Sequence, residues 1–133
     1  TKGNVEIAVG KSNTANKIAV DNNTFNNNLT LAERYPGVFG GTKASEYKPT
    51  QKENERIQKY TNLLVKVRNL ISSKDDSKEQ RETEDDAMKE LNDYWVELQR
   101  EGVLDTDTLD TLYTRGREAN NDLRAKRGYA PEE

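Results

Sequence analysis

A mainly α protein is predicted for this 133-residue chain: a small helical hairpin or three-helix bundle with an extended N-terminal arm. Apolar side chains recur three and four residues apart over residues 50–127, which is the period of an amphipathic helix. Residues 1–48 show no sustained helical period and include an asparagine-rich stretch. The chain is therefore divided into an arm, residues 1–48, and a helical domain, residues 49–133.

Composition limits the size of the hydrophobic core. Hydrophobic residues make up 32% of the chain and charged residues 34%, against about 45–50% and about 25% in ordinary globular domains. Because apolar burial must offset the entropy lost on folding, we expect a partner to order part of the arm. The net charge is −3 and acidic and basic residues are interspersed, so nucleic acid is not an expected partner.

The arm is expected to hold short, irregular elements. Residues 5–9 and 18–20 alternate in a way that predicts a short β-hairpin, with a disordered tail as the equal alternative. The asparagine-rich residues 21–28 predict a loop. A short helix is expected after Asn28, and both Pro36–Gly37 and Gly40–Gly41 are expected to break regular structure beyond it.

Aromatic side chains of the arm are its candidates for burial. We expect one of two arrangements. These side chains fold back over the chain's own helices as a small apolar cluster, or they anchor the arm in a pocket on another chain. Aromatic residues dominate interface hot spots, which gives the second interpretation its physical basis. The candidate partner-binding residues are Tyr35, Val38, Phe39 and Tyr47.

Three long helices are predicted, at about residues 50–72, 80–101 and 106–127. The first follows a capping box at Thr50–Glu53, and the second ends before Gly102. Trp95 is expected to fill the space beside the small residues Gly116 and Ala119, with a partner helix as the alternative. The expected core residues are Ile57, Tyr60, Leu64, Val67, Ile71, Met88, Leu91, Trp95, Leu98, Leu109, Leu112 and Leu123.

No catalytic, cofactor-binding or metal-binding residue is predicted. Histidine and cysteine are absent, which removes the commonest general base and the thiolate nucleophiles. Asp105–Asp107 lacks the later ligands of a calcium loop and is interpreted as a helix cap.

Charge clusters are interpreted as structural surfaces. Carboxylates near the start of the second helix are read as a solvated helix start and not as an acid–base pair: Glu82, Glu84, Asp85, Asp86 and Glu90. The densest basic set is read as a helix surface, with an anion site as the alternative: Arg115, Arg117, Arg124, Lys126 and Arg127.

The expected function is a non-catalytic structural or protein–protein interaction subunit. It would dock into a larger assembly, such as a virion or a similar particle, through helical faces and the arm, onto another protein or another copy of itself. The alternative is a small extracytoplasmic or surface binding domain with a ligand cleft lined by Tyr35, Phe39, Tyr94 and Trp95. No run approaches the roughly 18 apolar residues of a membrane span. The start at Thr1 is compatible with a cleaved leader, and no compartment is predicted.

Overall fold

A computed structural model describes residues 25–132, and over this range the prediction of a mainly α protein is confirmed. In these residues there is no strand, and the helices in chain order are α1 (Leu31–Arg34), α2 (Pro36–Phe39), α3 (Gln51–Ser72), α4 (Lys78–Glu101) and α5 (Thr106–Lys126). The β-hairpin predicted within residues 5–20 lies outside the described residues. None of the described helices combines the length and the apolar character needed to cross a membrane.

The chain divides into two compact units, with the boundary between Asn54 and Glu55 inside α3. The first unit, described from residue 25, begins with a reciprocal cap on α1. The Thr30 hydroxyl accepts from the backbone N–H of Glu33 at 3.2 Å, and the Glu33 carboxylate accepts from the N–H of Thr30 at 2.9 Å. Such a box satisfies two amides that have no partner within the helix, and this explains why four residues form a helix here.

Helix α2 overturns one sequence prediction. A break was expected at Pro36–Gly37, but α2 begins at Pro36. Proline suits the first helical position, because its missing N–H would have no partner there and its fixed φ is already helical. Helical structure is interrupted at Tyr35, whose φ and ψ are not helical, and again after Phe39, where Gly41 adopts a φ of 76°. The first break therefore lies one residue before Pro36, and the break predicted at Gly40–Gly41 is confirmed.

Capping side chains set the starts of the long helices. At the start of α3, the Thr50 hydroxyl accepts from the N–H of Glu53 at 3.1 Å, and the Glu53 carboxylate accepts from the N–H of Thr50 at 2.8 Å. The Ser77 hydroxyl accepts from the N–H of Gln80 at 3.1 Å, so α4 begins at Lys78. That start is two residues earlier than the predicted start at about residue 80.

In the second unit, α3 and α4 run antiparallel. Arg56 Nη2 lies 2.8 Å from Glu101 Oε2 at one end of the pair, and Gln80 Nε2 donates to the carbonyl of Leu70 at 3.0 Å at the other. Helix α4 ends at Gly102, whose φ of 75° lets the chain reverse after a left-handed residue. The short link that follows makes α5 antiparallel to α4 and parallel to α3.

Tyr60 holds α5 against α3. Its hydroxyl donates to the carbonyl of Leu112 at 2.7 Å, and a Cβ built on Gly116 would lie 2.5 Å from the same hydroxyl oxygen. The prediction that Trp95 fills the space beside Gly116 is therefore wrong. Trp95 instead donates its indole N–H to the carbonyl of Leu109 at 2.9 Å. Tyrosine fits the site because its ring fills the space and its hydroxyl still reaches an acceptor.

Most side chains expected in the helical core are buried. The buried ones are Ile57, Tyr60, Leu64, Val67, Met88, Leu91, Leu98, Leu112 and Leu123. Ile71, Trp95 and Leu109 are half-buried. Each fully buried large apolar side chain contributes about 1.5–3 kcal/mol relative to exposure, so these stripes supply the main stabilisation of the second unit.

We expect Gly116→Ala to lower the free energy of unfolding by about 1–2 kcal/mol. Overpacking against the Tyr60 hydroxyl is unfavourable by about 1–3 kcal/mol, and the better helix propensity of alanine offsets up to about 1 kcal/mol of this. In a Tyr60→Phe background the same change should have a smaller effect, because the clashing oxygen is gone. Urea unfolding followed by circular dichroism measures both.

Gly37→Ala is the matched control, since no atom outside its own helix backbone and its chain neighbours lies within 4 Å of a Cβ built there. It should leave stability unchanged or slightly raised, because alanine is the better helix former. A Gly116→Ala variant as stable as the original chain would show that Tyr60 does not approach Gly116 closely.

Candidate functional site

Glu84 is a buried carboxylate where α4 begins and α3 and α5 end. Its side chain has 0% exposure and is bonded on one oxygen by the Lys126 ammonium and on the other by Arg127 Nη2 at 3.1 Å. Gln80 Nε2 donates to the same carboxylate at 3.2 Å. Lys126 and Gln80 also donate to the carbonyl of Leu70 in the last turn of α3, at 3.4 and 3.0 Å. We call these five residues the charged junction.

The pKa of Glu84 lies below its usual value. Burial is the largest single influence and raises it, but the hydrogen bonds from Lys126, Arg127 and Gln80 together outweigh burial. The pKa of Arg127 is raised, because the hydrogen bonds of Asp85 and Glu84 outweigh the opposing effect of burial. Glu84 and Arg127 therefore stay ionised at neutral pH. Both Glu84 oxygens are engaged by cations, which suits a structural role better than proton transfer.

The interpretation of a solvated helix start is wrong for Glu84. Glu82 and Asp86 are exposed, as that interpretation requires, but Glu84 is fully buried. A signal for this was present in the sequence, since Glu84 lies four residues before Met88 and so on the apolar face of α4. Burial of a carboxylate there required cations from another helix, which the spacing within α4 does not reveal.

Trp95 and Tyr113 form an aromatic pair at the surface between α4 and α5. Their ring centroids lie 5.1 Å apart with an interplanar angle of 51°, within the range that aromatic pairs favour. The indole N–H bond to Leu109 holds the Trp95 ring in place. Tyr113 remains 48% exposed. The pair is a fixed apolar surface with one ring open to solvent.

A groove of about 460 Å³ lies between α4 and α5, nearer the charged junction. Met88 and Leu123 supply its apolar lining, and Asn92 and Asn120 line it on the side toward the aromatic pair. Charged residues complete the lining: Asp85, Lys89, Asp93, Arg124, Arg127 and Glu132. Since Asn92 lies one helical turn before Trp95, the groove and the aromatic pair share one side of the α4–α5 surface.

The candidate partner-binding residues of the arm fall into two groups. Tyr35, Val38 and Phe39 are buried, whereas Tyr47 is 43% exposed. The Tyr35 hydroxyl donates to Asn54 Oδ1 at 2.6 Å, and burial raises its pKa. Among the four candidates, Tyr47 is thus the side chain whose ring is exposed to solvent.

The rings considered for a ligand cleft lie mostly inside the protein. Tyr35, Phe39 and Tyr94 are buried, and Trp95 is half-buried. The Tyr94 ring is also covered by the ammonium of Lys59, which lies 4.5 Å from its centroid. Within residues 25–132, no three acidic side chains converge in a way that could hold a metal ion.

We expect Glu84→Gln to lower the free energy of unfolding at pH 7 by about 2–4 kcal/mol, because two cations then face a neutral amide. The pKa of Glu84 is lower in the folded chain than in the unfolded chain. Ionised Glu84 therefore stabilises the fold fully at pH values above the unfolded pKa of about 4.3. This stabilisation is lost as the pH falls through the pKa of Glu84 in the folded chain. The variant should therefore lose less stability on acidification than the original chain, as measured by urea unfolding between pH 7 and pH 3.

Glu82→Gln is the control for this experiment, since Glu82 is an exposed acid on the same helix. It should change neither the stability at pH 7 nor its decline in acid. If Glu84→Gln and the original chain lost the same amount of stability between pH 7 and pH 3, the role assigned to the charged junction would be contradicted.

The chain matches no protein-family model, no curated protein and no solved structure. A functional proposal therefore depends on the geometry of the described residues. Within that geometry, the aromatic pair and the adjoining groove place exposed apolar area beside a concave surface.

Proposed function

We propose that this chain is a non-catalytic structural or protein–protein interaction subunit that docks into a larger assembly. Docking would use its helical faces and the N-terminal residues 1–48, and a virion or a similar particle is one setting for such a subunit. The aromatic pair is the observation that carries the proposal. Tyr113 keeps 48% exposure while its ring packs at a tilt against Trp95. Tryptophan and tyrosine are the residue types most enriched at interface hot spots.

The aromatic pair is already ordered before any partner arrives. Trp95 is fixed by its bond to Leu109 at 2.9 Å, and Tyr113 packs on the fixed indole. A partner that covers Tyr113 would therefore immobilise few rotatable bonds, which keeps the entropic cost of binding low. Asn92 lies one helical turn before Trp95 and Arg117 one turn after Tyr113, so polar residues flank the pair along both helices, as at the rim of a protein interface.

The surface charges favour a protein partner over a nucleic acid. Exposed cations pair with acids on the same helix, such as Lys89 with Asp93 and Arg115 with Glu118, each at 2.6 Å. Such pairing interrupts the continuous positive surface that phosphate backbones require. Mixed charge at the rim of an apolar centre instead suits the selection of one protein partner.

Tyr47 extends the proposal to the arm. It is 43% exposed, and its hydroxyl bonds to the Glu53 carboxylate at 3.0 Å. The ring is thus oriented at the start of α3, where a neighbouring chain that contacts the arm could cover it.

We expect a photo-crosslinking phenylalanine analogue at position 113 to give one discrete adduct in an extract of the native source. The adduct would contain one other protein or a second copy of this chain, identified by mass spectrometry and reproduced with the purified protein. With that protein, Tyr113→Ser should weaken binding about tenfold or more, because a central aromatic contact is lost.

Val65 on α3 is the matched control, since it is also apolar and 41% exposed. The same analogue at position 65 should give no discrete adduct. The proposal fails if position 113 gives none, or if positions 113 and 65 give the same set of adducts.

A further inference from the structure

Residues 129–132 fold back along α5 after a tight turn, and we call them the return segment. The N–H of Gly128 donates to the carbonyl of Ala125 at 3.1 Å, and the N–H of Tyr129 donates to that of Arg124 at 2.8 Å. Gly128 has a φ of 83°. These bonds form a Schellman turn, in which the left-handed glycine reverses the chain direction. The return segment therefore runs back along the helix that precedes it.

Four side chains of α5 contact a single residue of the return segment, Glu132. Asn121 Oδ1 accepts from the N–H of Glu132 at 2.9 Å, and Asn121 Nδ2 donates to its carbonyl at 3.4 Å. Arg117 Nη2 donates to the same carbonyl at 3.1 Å. Asn120 Nδ2 donates to Glu132 Oε1 at 3.1 Å, and Arg124 Nη1 lies 3.8 Å from Oε2. The backbone and the carboxylate of Glu132 are thus both recognised.

This pattern of contacts separates the backbone from the side chain. The Asn121 amide donates to and accepts from the backbone of one residue, as a neighbouring strand would, so it can hold an extended segment of any sequence. Asn120 and Arg124 add donors directed at a carboxylate, which selects an acidic residue at that place.

Arg124 also fixes where along α5 the segment lies. Its Nε donates to the carbonyl of Ala130 at 2.6 Å, and its guanidinium carbon lies 5.6 Å from the centre of the Tyr129 ring. An aromatic ring is therefore placed three residues before the recognised carboxylate. The aromatic ring and the carboxylate three residues after it define the kind of peptide that α5 can bind.

We propose that Arg117, Asn120, Asn121 and Arg124 form a binding site for an extended acidic peptide of a partner protein, with the return segment as its intramolecular occupant. The peptide would carry a glutamate with an aromatic residue three positions before it. The site supplies positive charge and backbone-pairing amides, and the return segment shows the complementary chemistry. The partner peptide would bind by displacing this segment.

Displacement is physically reasonable because the contacts lie at the surface. Exposed hydrogen bonds and ion pairs each contribute little net free energy. The covalent link gives the return segment a local concentration in the millimolar range, so a free peptide competes only at similar concentrations unless it makes further contacts. Tyr129 and Glu132 form one wall of the groove that Met88 and Leu123 line. Departure of the segment would widen this groove for a longer partner.

The test measures the fluorescence anisotropy of a labelled peptide with the sequence of residues 128–133, titrated with three forms of the full chain. The original chain should bind it weakly, near millimolar concentrations. Glu132→Ala should bind about tenfold more tightly, because its own return segment competes less well. Asn121→Ala should show no binding, since the site itself has lost the backbone-pairing amide.

Both variants weaken the contacts of the return segment with α5, and only Glu132→Ala retains the intact site, so the pair distinguishes competition from simple loosening. Asn69→Ala, an exposed asparagine change on α3, should bind like the original chain. If Asn121→Ala loses helix content, Arg124→Gln replaces it, because it removes the Ala130 contact and the positive charge near the Glu132 carboxylate.

The inference is overturned if Glu132→Ala binds no more tightly than the original chain, or if the site variant binds as well as the original chain. In either case the return segment would be only a helix cap. Tyr113→Ser should leave binding of this short peptide unchanged, because the peptide contacts do not include Tyr113. Failure of the peptide site and failure of the aromatic pair as an anchor are therefore observed separately.

Discussion

The buried carboxylate of Glu84 determines how the three long helices meet at one end of the second unit. A carboxylate removed from water without partners is strongly unfavourable, so packings that separate Glu84 from Lys126 and Arg127 are disfavoured. Gln80 and Lys126 also bond to Leu70, which ties the end of α3 to the same group. Buried ion pairs add little net stability over apolar residues of similar size. We infer that the charged junction contributes mainly to the register of the helices.

The register of the helices at the charged junction determines which side chains of α4 and α5 are exposed on their common surface. The fit of Tyr60 over Gly116 fixes α5 in the middle of the unit, and the charged junction fixes it at the end. With α5 held in this way, Tyr113 lies against Trp95 one turn before Arg117. The aromatic pair and the peptide site are thus neighbours on one helix, and the positions of both depend on core contacts made by other residues of that helix.

Local signals in the sequence were sufficient for the main outline of the fold. The stripes of apolar residues predicted long helices, and the capping box at Thr50 and the glycine at position 102 lie at their observed ends. These signals act between residues within about four positions of one another, so they are readable without a structure. The break expected at Pro36–Gly37 lies instead at Tyr35, because proline ends a preceding helix but suits the first turn of the next one.

The sequence by itself determined that the chain is mainly helical, because periodicity and capping are properties of neighbouring residues. Only the tertiary structure decided which side chains contact one another in the core and at the surface. The Tyr60 bond to Leu112 spans 52 positions, and the Lys126 bond to Glu84 spans 42. The recognition of Glu132 by Asn121 likewise needs a reversal at Gly128. Contacts at such separations follow from how helices pack, and a stripe on one helix does not specify its partner on another.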